Sequence, residues 1–189
     1  GATIVGEVKC SQNLFKDIEA HGGTAVMSAA GHSLIKKKMQ ETKALLAGEM
    51  SGHICFSDEY YGFDDAIYAA CRILKIVASS KEKVSAMLTD VPKTAATPEI
   101  RVDCPDENKF EIVRELTESF RKEYDVIDID GVRIKFDNGW ALIRASNTQP
   151  VIVFRFEANN VDNLDVIISI IRKAISKYEP VITLSQELC

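Results

Sequence analysis

The chain opens on a short apolar run at residues 3–8, Thr-Ile-Val-Gly-Glu-Val, which predicts a strand. Leu14, Phe15 and Ile18 then share one face of a helix that Ser11 can cap, running to about His21 and ended by Gly22-Gly23. Thr24–Met27 predicts a second strand. Leu34, Ile35 and Met39, at helical spacing, predict a second helix capped by Ser33. Residues 45–56 read as a strand, a glycine-containing bend and another strand. Asp64-Asp65 open a long helix to about Ser79, its broad apolar face carrying Ile67, Ala70, Cys71, Leu74, Val77 and Ala78. Strands alternating with helices predict an α/β domain, a mixed sheet with helices on its faces, over residues 1–90.

The pattern changes at residues 90–98, Asp-Val-Pro-Lys-Thr-Ala-Ala-Thr-Pro, where two prolines and small residues interrupt any apolar period. Residues 91–97 are expected to be a linker. Beyond it, Glu99–Asp103 predicts a strand and 106–122 an amphipathic helix. Strands at about 125–129 and 132–136 flank Asp130-Gly131, a tight-hairpin signal. Strands at 140–145 and 151–157 are joined by a polar turn, and 161–177 is a helix with Val161, Leu164, Ile167, Ile168, Ile171 and Ile175 at 3–4 spacing. Residues 98–180 therefore read as a small α+β domain, an antiparallel sheet with helices on one face, followed by a tail at 181–189.

Composition narrows the function classes. A net charge of −5 argues against a duplex nucleic-acid binder, which needs surplus Lys and Arg against phosphates. Lys36-Lys37-Lys38 is the dense basic run, and a solvated helix face is its simplest reading. No apolar stretch approaches the roughly 18 residues of a membrane span. The start, Gly1-Ala2-Thr3-Ile4-Val5, has no basic region of a secretory signal and reads as cut from something longer. Five scattered cysteines without a C-x-x-C pair argue against a disulfide framework or zinc site and fit a reducing cytoplasm. Cys71, among apolar neighbours, reads as a small core residue.

Three segments could carry chemistry. If Gly48–His53 is extended, Glu49, Ser51 and His53 project to one side and offer a carboxylate, a hydroxyl and an imidazole to a polyhydroxylated ligand; otherwise they are a polar hairpin facing water. Gly31-His32-Ser33 opens a helix after a strand, which makes either an anion site with a proton-shuttling His or an ordinary cap. Lys9 closes the first strand and could bring a cation to the same end of the sheet, beyond the carboxyl ends of the strands. In Arg144–Pro150, Arg144 with Ser146, Asn147 and Thr148 could cradle a phosphate, or the turn's polar side chains could satisfy their own backbone. Nucleophile-elbow, H-E-x-x-H, Walker and dinucleotide motifs are absent.

Taken in order, these segments resemble one family. Val8-Lys9-Cys10-Ser11, Gly31–Met39 (Gly-His-Ser-Leu-Ile-Lys-Lys-Lys-Met), Leu45–His53 (Leu-Leu-Ala-Gly-Glu-Met-Ser-Gly-His) and Tyr61-Gly62-Phe63-Asp64-Asp65 are similar to the third domain of α-D-phosphohexomutases. Thr97-Pro98-Glu99-Ile100, Asp130-Gly131-Val132 and Gly139–Pro150 are similar to the fourth. Glu-Met-Ser-Gly-His and Arg-x-Ser-Asn-Thr resemble the phosphomannomutase/phosphoglucomutase branch.

The resemblance implies a cytoplasmic isomerase that interconverts hexose 6-phosphate and 1-phosphate through a phosphoserine and a hexose 1,6-bisphosphate. It implies that Glu49 and Ser51 bind ring hydroxyls, that Lys9, His32 and His53 stand at the reacting end, and that Arg144, Ser146, Asn147 and Thr148 hold the other phosphate. The family's Thr-Ala-Ser-His-Asn-Pro-like serine loop and Asp-Gly-Asp-Gly-Asp-like magnesium loop are not in this sequence. The Mg²⁺ ligands and the nucleophile are therefore expected from N-terminal domains, the chain's expected partners beside its phosphohexose substrate, and the chain alone is expected to be inactive. A non-catalytic phosphosugar- or phosphate-binding module is the alternative.

Overall fold

A computed structural model describes residues 1–182 of the chain; of the expected tail, 183–189 lie outside the described residues. The chain divides into two compact units, Gly1–Pro92 and one from Lys93 onward.

The first unit holds five strands: β1 (Thr3–Glu7), β2 (Thr24–Ser28), β3 (Leu46–Gly48), β4 (Ile54–Phe56) and β5 (Phe63–Asp64). They form one mixed sheet in the order β2-β1-β3-β4-β5. β1 runs parallel to β2 and β3, whereas β4 and β5 turn back antiparallel. Helices α1 (Gln12–Ala20), α2 (His32–Thr42) and α3 (Ala66–Ser79) complete the unit. Ile35 and Met39 of α2 pack with Val5, Ala47 and Cys55. α1 takes the opposite face, where Phe15 lies so close to Gly6 that a Cβ there would sit 3.1 Å from its ring.

Local chemistry explains most boundaries. Ser11 accepts from Asn13 N–H at 3.1 Å and caps α1 as expected. Ser33 caps nothing: α2 begins at His32, its N-cap is Gly31, and its first turn carries no side-chain cap. In the Asp64-Asp65 pair only Asp65 caps α3, accepting from Tyr68 N–H at 2.9 Å, while Asp64 ends β5.

The apolar face expected of α3 is not buried. Ile67 is 80% and Leu74 64% exposed, and Cys71 is exposed rather than a core residue. The helix is seated instead by Tyr68 and Arg72 over Phe56, with ring centroids 5.5 Å apart and the guanidinium 4.9 Å above the ring. Arg72 also pairs with Asp58 at 3.1 Å. Ile67 lies one residue, about 100°, away from that anchored face.

The second unit is an antiparallel sheet under two helices. Its strands are β6 (Ala95–Ala96), β7 (Ile100–Asp103), β8 (Val126–Ile127), β9 (Val132–Phe136), β10 (Gly139–Ala145) and β11 (Val151–Ala158), ordered β6-β11-β10-β9-β8 with β7 also on β11. Ala95–Ala96, in the segment expected to be a linker, pairs with Glu157 and Ala158. Helices α4 (Asp106–Phe120) and α5 (Val161–Ile175) cover one face. Ile112, Val113 and Leu116 of α4 and Leu164, Ile167, Ile171 and Ile175 of α5 enter the core with Ile134, Ile143, Phe154 and Phe156.

The hairpin around Asp130-Gly131 is looser than the sequence predicts. Ile127 pairs with Arg133, so β8 is short and residues 128–131 form a longer connection. Among the described residues, no helix is long and apolar enough to cross a membrane. Lys37 and Lys38 of the basic run pair with Glu41 at 3.9 and 3.0 Å on the surface of α2.

Candidate functional site

Parallel pairing brings the first unit's candidate residues to one sheet edge. Gly6 is level with Met27 and Gly48, so β1, β2 and β3 end together. Their carboxyl ends lead to Lys9, to His32 and to the loop Glu49–His53, the edge where open α/β sheets present ligand-binding loops.

The Glu49–His53 run is a turn, not a strand. Glu49 N–H donates to His53 O at 2.9 Å, Gly52 N–H to Glu49 O at 3.0 Å, and Gly52 has φ +94°, open to glycine. The alternation predicted for an extended run therefore does not operate, because β3 and β4 are adjacent antiparallel strands and the chain must reverse between them. The turn still gathers its polar groups: Ser51 Oγ donates to Glu49 Oε2 at 3.3 Å.

His53 Nδ1 lies 2.6 Å from Asp64 Oδ2. A ring nitrogen facing a carboxylate carries the proton, which leaves Nε2 to accept one. Sequence reading missed this partner. Its signal was the Asp64-Asp65 doublet, since one cap needs only one acid. His32 is exposed in the first, side-chain-uncapped turn of α2, where free N–H groups favour an anion.

Under the loop lies a second residue the sequence reading left aside. Glu7 is fully buried at the end of β1, accepts from Met50 N–H at 3.1 Å, and holds Lys9 Nζ at 3.5 Å. Burial pushes its pKa up, opposed by Lys9 and the Met50 N–H. The buried atoms Glu7 Oε2 and Glu49 Oε1 have no hydrogen-bond partner among the described residues. A charged residue inside an otherwise apolar strand was the readable signal.

In the second unit, Arg144, Ser146, Asn147 and Thr148 stand on β10 and the turn joining it to β11. Ser146 Oγ accepts from Thr148 N–H at 3.3 Å and Gln149 N–H at 3.2 Å, so the hydroxyl shapes its own loop. Its proton can still be donated outward. Arg144 is mostly buried, and its Nε donates to Asp130 Oδ2 at 2.9 Å. Asn147 and Thr148 are exposed at the tip. The turn is held from below by Lys109, which is buried and donates to Gln149 O at 2.8 Å while pairing with Asp106 at 2.5 Å. Lys109 falls at i−3, i−4 and i−7 from Ile112, Val113 and Leu116, and a cation in an apolar helical stripe was its signal. The turn carries hydroxyl and amide side chains beside an arginine, groups suited to an oxyanion.

Comparison with known proteins gives the same division. Residues 1–95 match the family model described as phosphoglucomutase/phosphomannomutase, alpha/beta/alpha domain III, and residues 99–174 match that of the C-terminal domain. A phosphomannomutase/phosphoglucomutase of Pseudomonas putida is 46% identical over 95% of the chain and 39% of its own length. A phosphomannomutase of Methanocaldococcus jannaschii is 32% identical over 94% of the chain and 39% of its own. The crystal structure of a phosphoglucomutase/phosphomannomutase family protein from Burkholderia thailandensis superposes with a TM-score of 0.82, at 39% identity, over 95% of the chain and 38% of that protein. The chain thus spans about two fifths of the length of these relatives. With both of its halves matched in order, the chain belongs to the phosphoglucomutase/phosphomannomutase family.

Proposed function

We propose that the chain is the substrate-recognition half of a phosphohexomutase that interconverts mannose or glucose 6-phosphate and 1-phosphate. The observation that carries this reading is the gathering of Lys9, His32 and the Glu49–His53 turn at one end of the parallel strands, in a chain of this family. Glu49 and Ser51 take the ring hydroxyls: the carboxylate accepts from them and the serine can do either. Arg144, Ser146, Asn147 and Thr148 take the phosphate that is not reacting.

In the proposed reaction a phosphoserine outside this sequence gives its phosphoryl group to a sugar hydroxyl. His53 Nε2 takes the hydroxyl proton, its tautomer held by Asp64. The resulting bisphosphate turns over, its other phosphate returns to the serine, and the proton returns to the oxygen left behind. Lys9, held by Glu7, offers a cation for charge on the transferring group. Among the described residues no three His, Cys, Asp or Glu side chains gather as metal ligands, and no step here passes through a metal ion.

Calorimetric titration tests the reading. The chain should bind glucose 6-phosphate more tightly than glucose. Arg144→Ala should weaken the phosphate ester by roughly tenfold or more, the scale of a charge-assisted hydrogen bond, and leave glucose unchanged. Equal losses for both ligands would sink the phosphate assignment, and no binding of either would sink the recognition role.

A further inference from the structure

We infer that Asp130 is a positioning residue for Arg144, orienting its guanidinium toward a phosphate; this rests on the phosphate-binding role proposed above for the turn at 146–149. In the sequence, Asp130-Gly131 looks like the tip of a two-residue hairpin. In the structure the pair does something else. The connection between β8 and β9 runs over residues 128–131 and folds onto β10, where Asp130 Oδ2 accepts from Arg144 Nε at 2.9 Å. Both side chains are largely shielded, at 10% and 14% exposure.

The approach depends on Gly131. Its φ is +71°, and a Cβ there would stand 2.2 Å from Ile143 O and 2.7 Å from Arg144 Cα. Only a residue without a side chain lets the connection sit against the strand at the point where Arg144 leaves it. Arg144 is therefore fixed twice. Its backbone lies in β10, paired with Val153 of β11, and its side chain is held by Asp130. Pairing through Nε leaves the two terminal amino groups, the end-on fork that grips an oxyanion, for a ligand. The rotamer freedom of a long side chain is then lost before the ligand arrives rather than on binding.

Asp130 has a competing effect, because its negative charge repels an incoming phosphate. A set of variants of the 189-residue chain separates the two. Asp130→Asn keeps an acceptor for Nε and removes the charge; Asp130→Ala removes both. If positioning dominates, Asp130→Asn binds glucose 6-phosphate at least as tightly as the parent, and Asp130→Ala binds it about tenfold more weakly. Glucose binding should not change in either, and the Arg144 Nε–H resonance should persist in Asp130→Asn and be lost in Asp130→Ala. Parent-like or tighter binding of glucose 6-phosphate by Asp130→Ala overturns the assignment. Should Asp130→Ala fail to fold, Asp130→Glu retains the charge but displaces the acceptor; a comparable loss is expected, and parent-like binding overturns the assignment. Arg144→Ala serves as the control. If it loses the phosphate ester while Asp130→Ala does not, positioning alone is wrong. If Arg144→Ala also binds like the parent, or the parent binds no phosphate ester, the underlying phosphate reading falls and the positioning role falls with it.

Discussion

At the scale of single residues, the buried carboxylate of Glu7 makes a pH-dependent prediction. Burial raises its pKa above the ordinary 4.5, although Lys9 and the Met50 N–H pull the other way. A group that holds its proton more tightly when folded contributes its full stability below the unfolded value and loses it as pH rises through the folded one. Glu7→Gln keeps an acceptor for Met50 N–H and never carries the charge. The variant's melting temperature should therefore gain on the parent's as pH is raised from 4.5 toward neutrality. A difference that stays flat with pH would refute the burial argument. Glu7, Asp64, Lys109 and Asp130 all left traces in the sequence, as an acid in a strand, a surplus acid at a cap, a cation in an apolar stripe and an Asp-Gly step. None named its distant partner, because those partners come from other strands and loops: Met50 is 43 residues from Glu7, and Gln149 is 40 from Lys109.

Elements divide according to what seats them. α5 is held by its apolar stripe, and Ile171 is completely buried in it. Ile171→Ala should cost about 2–5 kcal/mol in urea unfolding of the chain, as cavities in packed cores do. α3 carries an equally clear stripe in which no residue is fully buried, and Tyr68 and Arg72 do the seating. Leu74→Lys should shift stability by no more than about 0.5 kcal/mol, and a larger loss would show that the stripe is packed after all. Periodicity thus located both helices but revealed the burial of only one. It reports that a face is apolar, and which element meets that face is decided by contacts distant in sequence. The same limit explains the Glu49–His53 turn: its residues were legible as candidate ligands, while the reversal that gathers them followed from the antiparallel pairing of β3 with β4.

For the whole molecule, two kinds of sheet present two kinds of candidate site. The first unit offers loops at the ends of parallel strands; the second offers a turn between antiparallel ones. The family-type serine and magnesium loops named in the sequence analysis do not occur in this sequence. The purified 189-residue chain should therefore bind hexose phosphate without converting it, and measured turnover of mannose 1-phosphate would contradict this. The Asp130–Gly131 connection has one more consequence, for anyone mapping the molecule by random mutagenesis. Every amino-acid-changing single-base substitution in a glycine codon adds a Cβ, and at Gly131 any Cβ meets the carbonyl of Ile143. On the phosphate-binding role proposed above, a screen for lost phosphosugar binding should return this position beside Arg144, although it has no side chain with which to touch a ligand.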